Sequence, residues 1–209
     1  MLEVKEMTQA VPKYLSFEEY LEQYPEDGGR YELIDGRMIE VLPIADHEDI
    51  GGFLSGTLFV EYTRLQLPYF IPRSCGVKPH REATGYIPDV IVLNRDTIVN
   101  DPYWKKASSI TLGESACLVI EIVSNNWRDD YIKKFDDYEA LGFPEYWIIE
   151  YLAKGSARFI ATPKTPTISV CHLIDGEYQV NLFKGNQTII SPTFPELDLT
   201  AAQIFQAQK

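Results

Sequence analysis

The sequence predicts an α/β protein with a β-rich C-terminal extension. Residues 117–123 form a continuous apolar run that a single acid interrupts, which is typical of a central buried strand. A helical pattern over 128–141 ends at Gly142, and a second strand-like run follows over 145–151. Strand, helix and strand in this order predict a right-handed parallel crossover. The extension consists of shorter β-like stretches at 158–161, 167–174 and 178–183.

The N-terminal half of the chain predicts alternating helices and strands. Ser16 and Glu19 form a capping-box pattern at the start of a short helix that runs to about Pro25. Two short strands flank Asp35-Gly36, a dipeptide that favours a two-residue hairpin. Apolar residues recur every three or four positions over 45–66, which indicates a long amphipathic helix. The remaining predicted segments are strands at 69–77 and 87–93, a polar loop or flap at 96–114, and a final helix at 200–206.

The charge balance limits the class of partner. The 209 residues include 19 Lys and Arg against 31 Asp and Glu, which gives a formal net charge of −12. Nucleic-acid binding comes mostly from Lys and Arg that neutralise phosphates, so this charge argues against attachment to DNA through bulk positive charge. A local basic cleft remains compatible with it. Hydrophobic residues make up 45% and aromatic residues 12%, which is enough apolar area for a folded core.

The sequence also indicates the compartment. The segment 1–13 is charged and lacks an apolar core of signal-peptide length, and no stretch approaches the roughly 18 apolar residues of a membrane span. Cys75, Cys117 and Cys171 are odd in number and far apart, which favours reduced thiols over a disulfide framework or a zinc knuckle. We therefore expect a cytoplasmic protein with no membrane partner.

Two acids stand where an acid is costly. Glu121 interrupts the apolar run 118–123, and a carboxylate in a buried strand must be neutralised, paired or bound to a metal. It could instead point outward from an edge strand or pair with an Arg. Asp89 follows Pro88 and opens the apolar run 90–93, where it could also serve only in a turn. Two carboxylates on neighbouring strands can converge on one hard cation such as Mg²⁺.

A lysine on the following helix adds to this pair of acids. Phosphodiester hydrolysis uses a divalent ion to activate water and screen charge, and it benefits from a nearby Lys. Lys134 lies 13 residues after Glu121 and shares a helical face with Asp130 and Tyr138. The local pattern alone favours a solvated lysine that pairs with Asp130 four residues earlier.

A longer pattern of residues carries a family resemblance. It comprises Pro88-Asp89, Glu121-Ile-Val-Ser124 and Asp130-x3-Lys134-x3-Tyr138-x3-Gly142-x2-Glu145-Tyr-Trp147. Its outer parts are Tyr31-Glu-Leu-Ile-Asp-Gly36, His47 and Ser191-Pro-Thr-Phe-Pro-Glu-Leu197. Over about residues 15–205 the chain resembles the Uma family of bacterial restriction-endonuclease-like proteins, within the PD-(D/E)XK nuclease superfamily. The resemblance implies a restriction-endonuclease-like mixed central sheet flanked by helices, as a single domain over 14–209 after a flexible tail at 1–13.

The resemblance also implies roles for individual residues. Asp89 and Glu121 would bind the metal, Mg²⁺ or Mn²⁺, and Glu32 matches the early acid that often completes such a site. The superfamily places a Lys two residues after the second acid, where this chain has Val123. Lys134 would replace that lysine from the helix and position the attacking water.

Weaker candidates for substrate binding accompany these residues. Ser124 could hydrogen-bond Glu121 or a phosphate, or it could cap the segment that follows. His47 could reach the site, or it could be a surface or capping residue. Basic residues near Asp89 could line a nucleic-acid groove or form a solvated patch; they are Lys78, His80, Arg81, Lys105 and Lys106.

The leading functional prediction is a Mg²⁺-dependent endonuclease that hydrolyses phosphodiester bonds in DNA. One alternative is a catalytically inactive binding or interaction protein on the same fold, which the charge of −12 favours. Another is a metal-dependent hydrolase of a small phosphate compound. A homodimer is compatible with the leading prediction, because double-strand cutters often present two sites.

Overall fold

The protein folds around one six-stranded mixed sheet. The computed structural model describes residues 14–42, 44–123 and 127–208. The helices and strands in these ranges are α1 (Phe17–Glu22), β1 (Tyr31–Ile34), β2 (Arg37–Glu40), α2 (Ala45–Arg64), β3 (Tyr69–Phe70), β4 (Gly76–Val77), β5 (Val90–Asn94), α3 (Trp104–Ala107), β6 (Ser109–Ile110), β7 (Ala116–Ile122), α4 (Lys134–Leu141), β8 (Glu145–Glu150), α5 (Ala157–Ile160), β9 (Thr167–Ile174), β10 (Glu177–Phe183) and α6 (Ala201–Gln206). A π-helical turn, Asp129–Lys133, leads directly into α4.

The strand order of the large sheet is β10-β9-β8-β7-β5-β3. Strands β7 and β8 at its centre are parallel, and the other neighbouring pairs are antiparallel. The chain passes from β7 to β8 through α4, so the predicted α/β class and parallel crossover are confirmed. Strands β9 and β10 are added at one side of the same sheet. The predicted β-rich C-terminal extension is therefore part of the central sheet.

Apolar side chains cover both faces of this sheet. On one face, α2 and α6 pack over a core that includes Leu54 and Ile204. On the other face, α4 contributes Tyr138 and Leu141 to a second core. Because side chains alternate along a strand, each residue of the central strands faces one of these two helical layers.

The hairpin β1–β2 forms a separate two-stranded sheet. Asp35 and Gly36 make its turn with φ values of 48° and 77°, so the predicted hairpin is confirmed. Arg30, just before β1, donates hydrogen bonds to the carbonyls of Ile87 at 3.2 Å and Pro88 at 3.4 Å. These bonds hold the hairpin against the segment that leads into β5.

Two predicted strands are wrong. The predicted strand 69–77 is split into β3 and β4, which belong to different sheets, because Pro72 between them has no N–H to donate. Where the sequence predicts a strand at 158–161, the structure has helix α5. Ser156 caps that helix by accepting a hydrogen bond from the Arg158 N–H at 3.4 Å.

Residues 96–114 are more ordered than the predicted loop or flap. They contain α3 and β6, and Asp101 ties them together from a buried position. Its Oδ2 accepts the N–H groups of Thr111 at 2.8 Å and Leu112 at 3.0 Å, and the Ser115 hydroxyl at 3.1 Å. A buried carboxylate with several donors can hold a segment of irregular backbone in one conformation.

Two other expectations concern thiols and the membrane. Cys75, Cys117 and Cys171 are free and buried, as the sequence predicts. Within the described ranges, none of the helices combines the length and the apolar character needed to cross a bilayer. The predicted tail at 1–13 lies outside the described residues.

Glu145, the first residue of β8, connects the C-terminal segment to the centre of the sheet. Its carboxylate is fully buried. Oε1 accepts the Trp147 indole N–H at 2.5 Å, and Oε2 accepts the Ser191 hydroxyl at 3.0 Å and the Thr193 N–H at 2.7 Å. Burial raises the pKa of Glu145, and these hydrogen bonds oppose the rise.

The variant Glu145→Ala would leave these three donors without their acceptor. We expect it to lower the free energy of unfolding by about 3 kcal/mol, measured by urea denaturation. Glu177→Ala, at an exposed position in β10, is the matched control and should change the free energy by less than about 0.5 kcal/mol. Equal effects of the two substitutions would contradict this role for Glu145.

Candidate active site

The four residues predicted as catalytic all line one cavity. It has a volume of about 320 Å³ and lies between the hairpin, the start of β5, the end of β7 and the π-helical turn. His47 also lines it. The titratable acidic and basic residues around this cavity, including three that the prediction assigned no role, are Glu32, Glu40, His47, Asp89, Glu121, Asp129, Asp130, Lys133 and Lys134.

Glu121 reaches the cavity because of strand alternation. Its neighbours Ile120 and Ile122 pack into the core beneath α2, so Glu121 faces the α4 side of the sheet. Its Oε1 accepts the Tyr138 hydroxyl at 2.6 Å, and its Oε2 lies 3.0 Å from Lys134 Nζ. Burial raises the pKa of Glu121 well above its usual range, although the nearby ammonium opposes the rise.

Lys134 provides a buried positive charge within the cavity. Its Nζ lies 3.0 Å from Glu121 Oε2, 3.3 Å from Glu32 Oε1 and 3.7 Å from Asp130 Oδ1. Burial lowers the pKa of Lys134, but the surrounding carboxylates outweigh burial and hold that pKa well above its ordinary value. The lysine is therefore charged, and it is not the solvated surface residue that the local pattern favours.

Asp89 is anchored from several directions. Its Oδ2 accepts the Ile122 N–H at 2.7 Å and lies 3.4 Å from His47 Nε2. Its Oδ1 lies 3.7 Å from the Arg30 guanidinium. Burial raises the pKa of Asp89, and the charges of His47 and Lys134 oppose that rise.

His47 links α2 to the end of β7. Its Nε2 lies 2.6 Å from the Ile122 carbonyl oxygen, so this nitrogen carries the proton and donates the hydrogen bond. The backbone of Ile122 therefore positions two side chains, because its N–H donates to Asp89 and its carbonyl oxygen accepts from His47. His47 is buried and is not a surface residue.

The hairpin contributes Glu32 and Arg30. Glu32 Oε1 accepts the Ile87 N–H at 3.1 Å in addition to its contact with Lys134. Residues two apart on an extended chain share a face, so Arg30 and Glu32 both reach the segment that carries Asp89. Arg30 is not among the predicted site residues, although its spacing of two residues from Glu32 is a signal in the sequence that could have indicated it.

Asp130 and Tyr138 take a larger part than the sequence analysis assigned to them. Both lie four residues from Lys134 on the same helical face, and both are buried. Asp130 is a further acid of the cavity, and burial raises its pKa to about 7 while Lys134 opposes the rise. Tyr138 donates its hydroxyl hydrogen bond to Glu121.

Lys78 and Arg81, predicted as substrate-binding residues, are not among the residues that line this cavity. Lys78 Nζ lies over the aromatic rings of Phe17 at 5.7 Å and Tyr103 at 5.8 Å. Arg81 pairs with Asp137, with Nε 3.0 Å from Oδ2. The other basic candidates are exposed on the surface; they are His80, Lys105 and Lys106.

The chemistry of the cavity suits a hard divalent cation. In the part of the chain that the structure describes, no group of three or more His, Cys, Asp or Glu side chains is arranged to hold a metal. Mg²⁺ does not require such a group, because one or two carboxylates with waters and a substrate phosphate commonly hold it. Asp89 and Glu121 offer two such carboxylates. Ser124, a predicted neighbour of this site, lies outside the described residues.

The mixed sheet with its crossover helix and this acid-lined cavity define a nuclease-like α/β protein. The model of the Uma2 family, described as "Putative restriction endonuclease", matches residues 17–202, so the chain belongs to that family and the predicted resemblance is confirmed. A solved structure with the same fold is described as a putative nuclease belonging to DUF820 from Anabaena variabilis ATCC 29413. The two share 18% identity with a TM-score of 0.67, over 93% of this chain and 99% of that chain. No curated protein matches the chain.

The raised pKa of Asp130 predicts a pH dependence of stability. Its pKa rises from 3.8 to about 7 on folding, so the folded protein binds this proton more tightly than the unfolded chain. The resulting stability is fully present below pH 3.8 and is lost as the pH rises through about 7. Asp130→Asn should therefore reduce the loss of unfolding free energy across this range, as measured by urea denaturation at a series of pH values.

The control for this measurement is Asp136→Asn, which changes an exposed acid on the same helix. It should preserve the wild-type pH dependence. If Asp130→Asn gave the same curve as wild type, Asp130 would not hold a proton in the folded protein near neutral pH.

Proposed function

We propose that this protein is a metal-dependent endonuclease that hydrolyses phosphodiester bonds in DNA, with Mg²⁺ as the ion and Mn²⁺ as a substitute. The observation that carries the proposal is the meeting of Asp89, Glu121 and Lys134 in one cavity. Membership of a family described as restriction endonucleases supports the same reaction class.

Asp89 and Glu121 would hold the ion, with Glu32 in support. Each of the first two carboxylates has one oxygen occupied by the protein, since Asp89 Oδ2 accepts the Ile122 N–H and Glu121 Oε1 accepts the Tyr138 hydroxyl. A cation would contact the other oxygens, Asp89 Oδ1 and Glu121 Oε2. Each of them already forms an ion pair, at 3.7 Å with Arg30 and at 3.0 Å with Lys134, so the ion would share these oxygens with the two basic groups. When bound, a divalent ion activates a water and stabilises charge on the leaving oxygen.

Lys134 would act as a hydrogen-bond donor and not as a base. The surrounding acids hold its pKa well above its ordinary value, so its amine stays protonated at neutral pH. A protonated amine held in a buried position can orient the attacking water or stabilise negative charge that develops on the phosphate. The contacts with Glu121 and Glu32 fix the position of this amine.

Binding of DNA has to overcome the net charge of −12. Long-range repulsion of the polymer would be offset by the metal ion, a local groove or a partner. This charge also favours the second candidate, a binding or interaction protein with an unused acidic cavity. A hydrolase of a small phosphate compound is the third candidate, since a cavity of about 320 Å³ lies within the range of small-ligand sites.

Cleavage of supercoiled plasmid and linear duplex DNA tests the proposal. With Mg²⁺ or Mn²⁺ the wild-type protein should cleave DNA, and EDTA should stop the reaction. Asp89→Asn, Glu121→Gln and Lys134→Met should each lower the rate by about 100-fold or more, because each removes a group that acts on the transition state.

Two substitutions outside the cavity serve as matched controls for these variants. Asp136→Asn and Lys164→Met change an exposed acid and an exposed lysine, and both should keep the wild-type rate. Cleavage that persists in Asp89→Asn and Lys134→Met would contradict the assigned roles. Hydrolysis of nucleotides without cleavage of DNA would support the third candidate, and salt-dependent DNA binding without cleavage would support the second.

A further inference from the structure

The mouth of the candidate active-site cavity carries a half-exposed cation to which the proposed reaction assigns no role. Lys133 lines the cavity beside Lys134, but 41% of its side chain is exposed, against 9% for Lys134. The π-helical turn that ends at Lys133 brings both lysines to one cavity, because its hydrogen bonds join residues five apart and the chain therefore turns less per residue than in an α-helix. Lys134 thus serves the buried acids, and Lys133 is open to solvent.

The ion pairs of Lys133 are long and lie at the protein surface. Its Nζ is 3.5 Å from Asp129 Oδ1 and 3.8 Å from Oδ2 of Asp35 in the hairpin turn. Both distances exceed the roughly 2.7 to 3.2 Å that is typical of an N–H···O hydrogen bond. Ion pairs between exposed groups add little to stability. This ammonium can therefore exchange its present contacts for a phosphate at little cost.

The same mouth also carries exposed apolar side chains. Leu42 is 76% exposed and Ile39 is 45% exposed, and both line the cavity. Ile39 is the cross-strand partner of Glu32, so its side chain lies on the same face of the hairpin as an acid of the proposed metal site. Single exposed apolar residues are common on proteins, but these two border a cavity lined mostly by acidic and basic residues.

These exposed groups match the two parts of a nucleotide. We call Lys133, Ile39 and Leu42 the rim of the cavity. An ammonium binds a phosphate through charge and hydrogen bonds. A nucleobase offers a flat face to apolar groups, and Leu and Ile are among the side chains that insert between bases in protein–DNA complexes. A small phosphate compound would need only the interior of the cavity, whereas a nucleotide strand would also cover the rim.

We propose that this rim binds the nucleotide next to the scissile phosphodiester bond, with Lys133 on its phosphate and with Ile39 and Leu42 against its base. The inference rests on the proposed endonuclease function and narrows its substrate to a polynucleotide. It also places positive charge for DNA beside the cavity in a chain whose net charge is −12. The rim contributes to substrate binding, and the chemical step stays with the residues already assigned to it.

DNA affinity tests the role of Lys133. The measurement is fluorescence anisotropy of a labelled duplex in the presence of Ca²⁺, at a series of NaCl concentrations. Lys133→Met should weaken binding about tenfold and lower the slope of log Kd against log NaCl concentration by about one, because one phosphate contact is lost. Lys164→Met, at an exposed position outside the cavity, should change neither quantity. Wild-type affinity and slope in Lys133→Met would overturn the proposal.

A second variant separates phosphate binding from a structural role of Lys133 in the hairpin. If Lys133 only held the hairpin turn through Asp35, Asp35→Asn would weaken DNA binding as Lys133→Met does. If Lys133 binds phosphate, Asp35→Asn releases the ammonium and should tighten binding about twofold. Asn suits this position, because the φ of Asp35 is 48° and Asn tolerates the left-handed region. Weaker binding by Asp35→Asn would contradict the phosphate contact.

Steady-state cleavage of duplex DNA with Mg²⁺ tests the apolar part of the rim. Leu42→Ser should raise KM about fivefold and keep kcat within about twofold, because the lost contact is made equally to the substrate and to the transition state. Ile190→Ser changes an apolar residue that is 72% exposed elsewhere and should keep the wild-type KM. Circular dichroism establishes that each variant is folded. An unchanged KM in Leu42→Ser would overturn the base contact.

The wild-type protein distinguishes failure of this inference from failure of the proposed function. A wild-type chain that neither binds nor cleaves DNA would overturn the endonuclease proposal and the rim with it. Wild-type cleavage of DNA, together with unaltered binding and KM in Lys133→Met and Leu42→Ser, would overturn the rim alone.

Discussion

The rest of the site depends on the ion pairs between the Lys134 ammonium and the carboxylates around it. The ammonium lies within 3.0 to 3.7 Å of carboxylates from the hairpin, from β7 and from the π-helical turn. A buried carboxylate is costly without an opposite charge, and Glu32, Glu121 and Asp130 share the ammonium of Lys134. Three elements that are distant in sequence therefore have to meet at one point, and the hairpin is held over the end of the central sheet.

One lysine does not balance these acids, and this imbalance supports the metal site that we propose. Burial raises the pKa values of Asp89, Glu121 and Asp130 despite the ammonium. A divalent cation would supply the missing positive charge and favour the ionised carboxylates. Part of the net charge of −12 is thus concentrated where an ion would offset it, which would reconcile an acidic chain with the proposed DNA substrate.

The parts of this arrangement that follow from local pattern could be predicted from the sequence. Glu121 within an apolar run and Lys134 at helical spacing from Asp130 are local signals. The partners of Arg81 and Tyr138 depend on contacts between distant segments, so local charge clusters could not show that Arg81 binds Asp137 and not the cavity. The segment 158–161 is too short for its periodicity to distinguish a helix from a strand. The hydrogen bond by which Ser156 caps the segment favours the helix.

The proposed function requires that Asp89 and Glu121 form a metal site beside Lys134. Anomalous diffraction at the manganese edge, from crystals of the protein soaked in Mn²⁺, tests it most directly. We expect one manganese ion per chain in the cavity, with both carboxylates among its ligands and Lys134 still next to Glu121. Crystals that show manganese elsewhere, or none in this cavity while the ion pair persists, would contradict the claim.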